Sequence, residues 1–151
     1  MKKVSFLFVF AALLLVLTGC ESKQEPCKFH KQTIDLVVKQ NEWAFDDDTK
    51  QFYCHFDIAE LTADMYNYAE VSISREYNSG TKNAYQVALP MSQYMVEEVS
   101  DGQGGTTEVY YTRHIDYRVG IGYVEIQLTN SDYFYEAENP ESMIFRLQLT
   151  Y

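Results

Sequence analysis

The side chains able to do chemistry in this chain are few and far apart. Its three histidines are His30, His55 and His114. A zinc site takes three or four converging ligands, usually announced by local pairs such as HxxxH or CxxC. Neither spacing occurs here. His55 and Asp57, two apart and therefore on one face of a strand, come nearest to a ligand pair and read as solvated surface. Asp46-Asp47-Asp48 offers oxygens to a hard cation, but an EF-hand loop runs D-x-D-x-D-G and closes with a glutamate at its twelfth position. Three consecutive aspartates read instead as a hydrated turn. No GxSxG elbow is present. Gly102-Gln103-Gly104-Gly105 lies between strands rather than ahead of a helix, so it is no phosphate cradle. The chain has 22 Asp+Glu, and nothing in their spacing singles out one pair for glycoside hydrolysis. The expectation is no metal, no cofactor and no catalytic residue: a protein that is not an enzyme.

Cysteine is more informative. Met1 to Cys20 reads MKKVSFLFVFAALLLVLTGC. Lys2 and Lys3 form a positive head, and a hydrophobic run extends from Val4 to Leu17. That run is too short to span a hydrocarbon layer of about 30 Å, which takes about 20 helical residues, and it reads as an export signal. Leu17-Thr18-Gly19-Cys20 resembles a lipobox, and the resemblance to bacterial lipoproteins implies three things. Residues 1–19 are removed, Cys20 becomes the mature N-terminus, and its sulfur and amine carry fatty acid, palmitate among them. One chain binds a membrane marginally while several bind it durably, because each buried methylene contributes about 0.8 kcal/mol. Glu21 is not the aspartate that commonly retains such proteins in the inner membrane. Glu21 to Glu25 loosely resembles a Bacteroidetes-type surface-export signal, so the implied place is the outer membrane, on its periplasmic face or at the cell surface. The alternative is an ordinary cleaved signal peptide. Cys27 and Cys54 are left, and an oxidising envelope permits a disulfide between them that would pin the tether to the domain. The other reading makes Cys54 a small buried hydrophobe and leaves Cys27 unpaired.

Without the leader, 10 Lys+Arg stand against 22 Asp+Glu, a net charge of −12. Such a surface repels phosphate backbones and anionic headgroups alike, which excludes nucleic acid as a partner and leaves the acyl anchor as the route to the membrane. The expected organisation is a signal peptide over 1–19, a lipidated tether over 20–31 and one domain over 32–151, large enough for a real core.

That domain reads in period two. Ile34, Leu36 and Val38 alternate with polar residues, as do Phe52, Cys54, Phe56 and Ile58, then Ala69, Val71 and Ile73, then Tyr85, Val87 and Leu89. Thr62 is placed to cap a single helical turn through Met65 and Tyr66. Asn78-Ser79-Gly80 marks a hairpin, and Asp101 to Gly105 the loop of another between Tyr94–Val99 and Thr107–His114. Tyr117 to Leu128 reads as one long strand bent at Gly120 and Gly122. Phe145, Leu147, Leu149 and Tyr151 close the pattern. Seven or eight short strands at this spacing predict an all-β antiparallel sandwich of immunoglobulin-like architecture, with a small closed barrel as the alternative.

Trp43, Phe52-Tyr53 with Asp57-Ile58, Glu60-Leu61-Thr62, Val71 with Arg75, Leu89-Pro90, Tyr117 and the strand from Phe145 to Tyr151 follow in a recognisable order. In this the domain resembles small uncharacterised Bacteroidetes-type lipoproteins, from which Cys54 and His55 depart. That group has no established activity, so the resemblance implies fold and compartment only.

The chain is rich in aromatic residues, with 13 Tyr, 9 Phe and 1 Trp, and the tyrosines fall on both strand faces. Tyrosine offers large contact area at low entropy cost, which suits interfaces and sugars, although half-buried sheet surfaces also favour it. The expected function is a non-catalytic binding or scaffolding module for a glycan or an envelope protein. The expected ligand residues are Tyr133, Phe134 and Tyr135, or the tip Asp101–Gly105, because loops at sandwich ends carry binding residues. One alternative is a fimbria-like assembly subunit that donates its terminal strand Phe145–Tyr151. A hydrolase is the third.

Overall fold

A computed structural model of the chain describes residues 29–100, 102, 104–131 and 139–151. Two antiparallel sheets face each other. The first has strand order β1-β9-β4-β5, made of β1 (Lys31–Val38), β9 (Met143–Thr150), β4 (Glu70–Tyr77) and β5 (Tyr85–Ala88). The second has order β2-β3-β8-β7-β6, made of β2 (Ala44–Asp46), β3 (Gln51–Asp57), β8 (Tyr123–Asn130), β7 (Thr106–Gly120) and β6 (Met91–Ser100). Neither sheet closes on itself, so the fold is a β-sandwich and not a barrel.

Alternation decides which residues meet between the sheets. Leu36, Val38, Ile73, Phe145, Leu147 and Leu149 from the first sheet pack on Phe52, Ile115, Val124, Ile126 and Leu128 from the second. β9 is flanked on both sides, by β1 through Lys31↔Thr150 to Val38↔Met143 and by β4 through Glu70↔Thr150 to Glu76↔Ile144. A strand with two neighbours and one face in the core hides its inward side chains completely, and Phe145, Leu147 and Leu149 are fully buried.

Nine strands are present among the described residues, one short one, β2, having escaped the period-two reading. β2 has three residues, too few to display a period, whereas the four-residue β5 is the strand marked by Tyr85 and Val87. Tyr117 to Leu128 is not one bent strand. β7 ends at Gly120, Ile121 and Gly122 form a two-residue turn, and β8 returns antiparallel with Gly120↔Tyr123 as the closing pair. Gly122 takes φ +83°, which side-chain-bearing residues rarely adopt. Inward residues are odd-numbered before the turn (Ile115, Tyr117, Val119) and even-numbered after it (Val124, Ile126, Leu128). A bend and a hairpin both permit that change of parity.

The sandwich has two unlike ends. At one, the chain enters: His30 and Tyr151 exchange backbone hydrogen bonds of 2.7 and 3.0 Å, and the β7–β8 turn is tied to Ile58 and Leu61 by two more of 2.7 Å. The helix α1 (Ala63–Tyr68) sits here, its first turn capped by Thr62 Oγ1, which accepts from the Met65 amide at 3.3 Å. At the other end lie the last residues of β1, β4 and β8 and the hairpin of β6 with β7, which runs past the sheets. β8 accompanies β7 only from Arg113 to Gly120, whereas β6 accompanies it from Thr106 to Ile115. Tyr94–Ser100 and Thr106–Thr112 are therefore a two-stranded arm. At about 3.3 Å per residue the 15 residues of β7 span roughly 50 Å from the entry end to the arm tip.

Candidate functional site

The inward face of the sandwich turns polar at the arm end. The parity that buries Val71 and Ile73 puts Arg75 next on the inner side of β4, and the parity of Ile115 and Tyr117 does the same for Arg113 on β7. Both arginines are buried, on opposite sheets. Two cations removed from water need an anion between them. Glu141, on the segment that leads into β9, supplies it. Its Oε1 accepts from Arg75 Nη2 at 3.0 Å and its Oε2 from Arg113 Nη1 at 2.7 Å. Burial pushes the Glu141 carboxyl upward, but its own backbone amide and the charges of Arg113 and Arg75 outweigh this, and the pKa falls below its ordinary value.

Neutral partners take three further guanidinium hydrogens. Arg75 Nη1 donates to Gln93 Oε1 at 3.2 Å, and Tyr77 OH donates to the same oxygen at 3.1 Å. The Arg75 guanidinium also lies 4.4 Å from the centre of the Tyr77 ring. Burial raises the Tyr77 hydroxyl pKa against the opposing effect of Arg75. Arg113 Nε donates to Asn130 Oδ1 at 3.3 Å and its Nη2 to Tyr111 OH at 3.4 Å. Arg75 Nε is buried with no partner. The Glu141 carbonyl accepts from Trp43 Nε1 at 3.3 Å, and Asn139 Nδ2 donates to the Trp43 carbonyl at 3.3 Å. This cluster fixes the return point of the segment that leaves β8 after Ser131, whose amide and hydroxyl bind the carbonyl and amide of Thr112 at 2.9 Å each.

Tyr133, Phe134 and Tyr135 lie outside the described residues, as do Cys20, Cys27, Asp101 and Gln103. The points at which their segment departs and returns, Ser131 and Asn139, both lie at the arm end. Gly102 and Gly104 form the tip of the arm with φ of +72° and +93°. The described residues that flank the two expected ligand regions, Ser131 and Asn139 for one and Ser100 and Gly105 for the other, lie at one end of the molecule. Sequence reasoning did not find the Arg75–Glu141–Arg113 bridge. Extending the parity of Val71 and Ile73, and of Ile115 and Tyr117, is the signal that could have found the two arginines, but nothing local marks Glu141 as their partner.

Cys54 is buried on the inner face of β3, and desolvation, then the charge of Glu42, raises its thiol pKa. It borders a shallow cleft of about 500 Å³ with Val37, Glu42 and Phe56. The pair expected to be a surface feature, His55 with Asp57, is so placed. His55 Nε2 lies 3.5 Å from Asp57 Oδ1, both exposed, with the His55 ring stacked on Tyr123. His114 Nδ1 is 2.9 Å from Ser92 Oγ. Among the described residues no three His, Cys, Asp or Glu side chains converge as metal ligands. Asp46 closes its own turn, accepting from the amides of Asp48 at 2.9 Å and Thr49 at 3.3 Å. Ser79 and Lys82 have the spacing of an SxxK nucleophile motif but occupy the exposed turn between β4 and β5, not the start of a helix.

The outer face of the arm is apolar and acidic together. Tyr94 is 94% exposed and Tyr110 72%, with Val96 directly opposite Tyr110 across the ribbon. Glu98 stands directly opposite Glu108, and Tyr110 OH donates to the Glu108 carboxylate. From Met91 to Thr112 the sequence has four acids, Glu97, Glu98, Asp101 and Glu108, and no lysine or arginine. The chain matches no family model, no curated protein and no solved structure.

Proposed function

We propose that this chain is a lipid-anchored protein of the bacterial cell envelope that binds a glycan or another envelope protein at its arm end and catalyses no reaction. The anchor is Cys20, acylated after removal of residues 1–19, and the place is the outer membrane. The observation that carries the reading is the opposition of the two ends. The chain enters beside Tyr151, while the arm with its exposed aromatics Tyr94 and Tyr110, and Ser131 and Asn139, which flank the segment holding Tyr133 to Tyr135, belong to the far end. A tether at one pole and contact residues at the other suit a molecule that reaches away from a membrane.

The test is alanine at Tyr133 and Tyr135 together, with binding measured on immobilised envelope polysaccharides and on envelope proteins cross-linked to the native chain. The expected result is binding weakened about tenfold or more, as loss of one or two aromatic anchors produces, at unchanged unfolding temperature. Unchanged affinity removes the segment from the site.

A further inference from the structure

We infer that the free edge of β6 is a docking site for an extended, basic segment of a partner protein, which adds to the second sheet as a further strand. This deepens the binding role proposed above by naming the class of partner, and it stands on the edge itself rather than on the acyl anchor.

Four strands lie at sheet edges, and three of them are poor templates. β2 has three residues. β5 has four and ends at Ala88, two residues before Pro90. β1 begins with Lys31 and ends with Val38 followed by Lys39. Natural edges are commonly blunted in such ways, by shortness, lysine, proline or a bulge. β6 uses none of these. Its ten residues, MSQYMVEEVS, contain no lysine and no proline and pair with β7 without interruption from Met91↔Ile115 to Ser100↔Thr106. Its other edge has no partner among the described strands. A long, regular edge with open amides and carbonyls is the geometry on which extended peptides dock.

Charge selects among the occupants. Glu98 and Glu108 face each other directly, an arrangement unfavourable for the isolated ribbon and relieved by a cation between them. Glu97 adds an acid on the other face of the same strand, opposite Val109, and no basic residue occurs in the sequence between Met91 and Thr112 to answer them. The nearest arginine, Arg113, is committed to Glu141 and Asn130. The open faces of Tyr94 and Tyr110 suit alkyl-ammonium and guanidinium groups. A second copy of the chain is a poor occupant, because pairing β6 with β6 brings together two ribbons that each carry glutamates and no lysine or arginine.

The experiment uses the full chain in detergent and two synthetic ten-residue peptides. In one, lysine alternates with valine and threonine; in the other, glutamate replaces every lysine. Affinity is read by fluorescence anisotropy and location by hydrogen exchange. The lysine peptide is expected to slow exchange over residues 91–100, the glutamate peptide to leave it unchanged, and affinity to fall about tenfold or more with Glu97→Lys and Glu98→Lys combined. Proline at Met95 and at Val96, tested separately, controls for folding. Successive amides alternate between β7 and the open side, so one of the two removes an outward donor and keeps the ladder. That variant is expected to keep its unfolding temperature and lose the peptide. No slowing by the lysine peptide, equal slowing by both peptides, or slowing produced by raising the concentration of the chain alone overturns the inference. None of these results bears on the alanine test at Tyr133 and Tyr135.

Discussion

Two arginines between the layers of a sandwich are tolerable only while their charge is answered, and Glu141 answers both with one carboxylate. Its side chain is still 49% exposed, so solvent screens part of the interaction. Removing one member of a fully buried pair costs about 3–5 kcal/mol. With that screening, Glu141→Gln is expected to lower unfolding free energy by about 1–2 kcal/mol, measured by urea titration. The pH dependence follows from the lowered Glu141 pKa. A carboxyl whose folded pKa lies below its ordinary value of 4.5 stabilises the fold fully above that value and loses the contribution as pH falls through the folded pKa. The gap in stability between the native chain and Glu141→Gln is therefore expected to be widest near neutral pH and to narrow from about pH 4.5 downward. At this scale the sequence was half legible. Parity places Arg75 and Arg113 inside, but it is silent about Glu141, 66 and 28 residues further on, because only the packing of the two sheets brings them together.

Elements were more legible where a period had room to repeat. Eight-residue strands such as β1 and β9 declared their inner faces, Leu36 with Val38 and Phe145 with Leu147 and Leu149. The helix was foreseen because its cap is chemistry local to Thr62 and Met65. Thr62→Ala is expected to cost about 1 kcal/mol, seen as a lower urea midpoint. The turn at Ile121 and Gly122 was misread as a bend, since a parity change does not say whether the chain reverses. Its geometry now sets a test. At φ +83° Gly122→Ala is strained in open space, and a cost of about 1–2 kcal/mol is expected. At Gly120 a new Cβ meets the Tyr123 ring instead. That ring stacks on His55, so Gly120→Ala is expected to shift the His55 and Tyr123 resonances while the resonances of arm residues stay in place.

For the whole molecule, the sandwich was readable from alternation and turn spacing, because a domain over 32–151 with one apolar face per strand and no long helical period in its sequence has few other ways to bury it. The choice of two layers over a barrel was not, since periodicity does not count sheets. The core that results is centred on β9, and Phe145→Ala is expected to cost about 3–5 kcal/mol by calorimetry or urea. Such a loss would leave little of the total stability of a domain this size. The polarity of the body, with entry at Tyr151 and an arm at the far pole, gives the proposed membrane tether its purpose. The claim on which that account rests is that Cys20 bears lipid. Intact mass spectrometry of the chain extracted from membranes tests it most directly. A mass beginning at Cys20 and increased by fatty acyl groups is the predicted result, and a chain with an unmodified Cys20, or one still carrying residues 1–19, would contradict it.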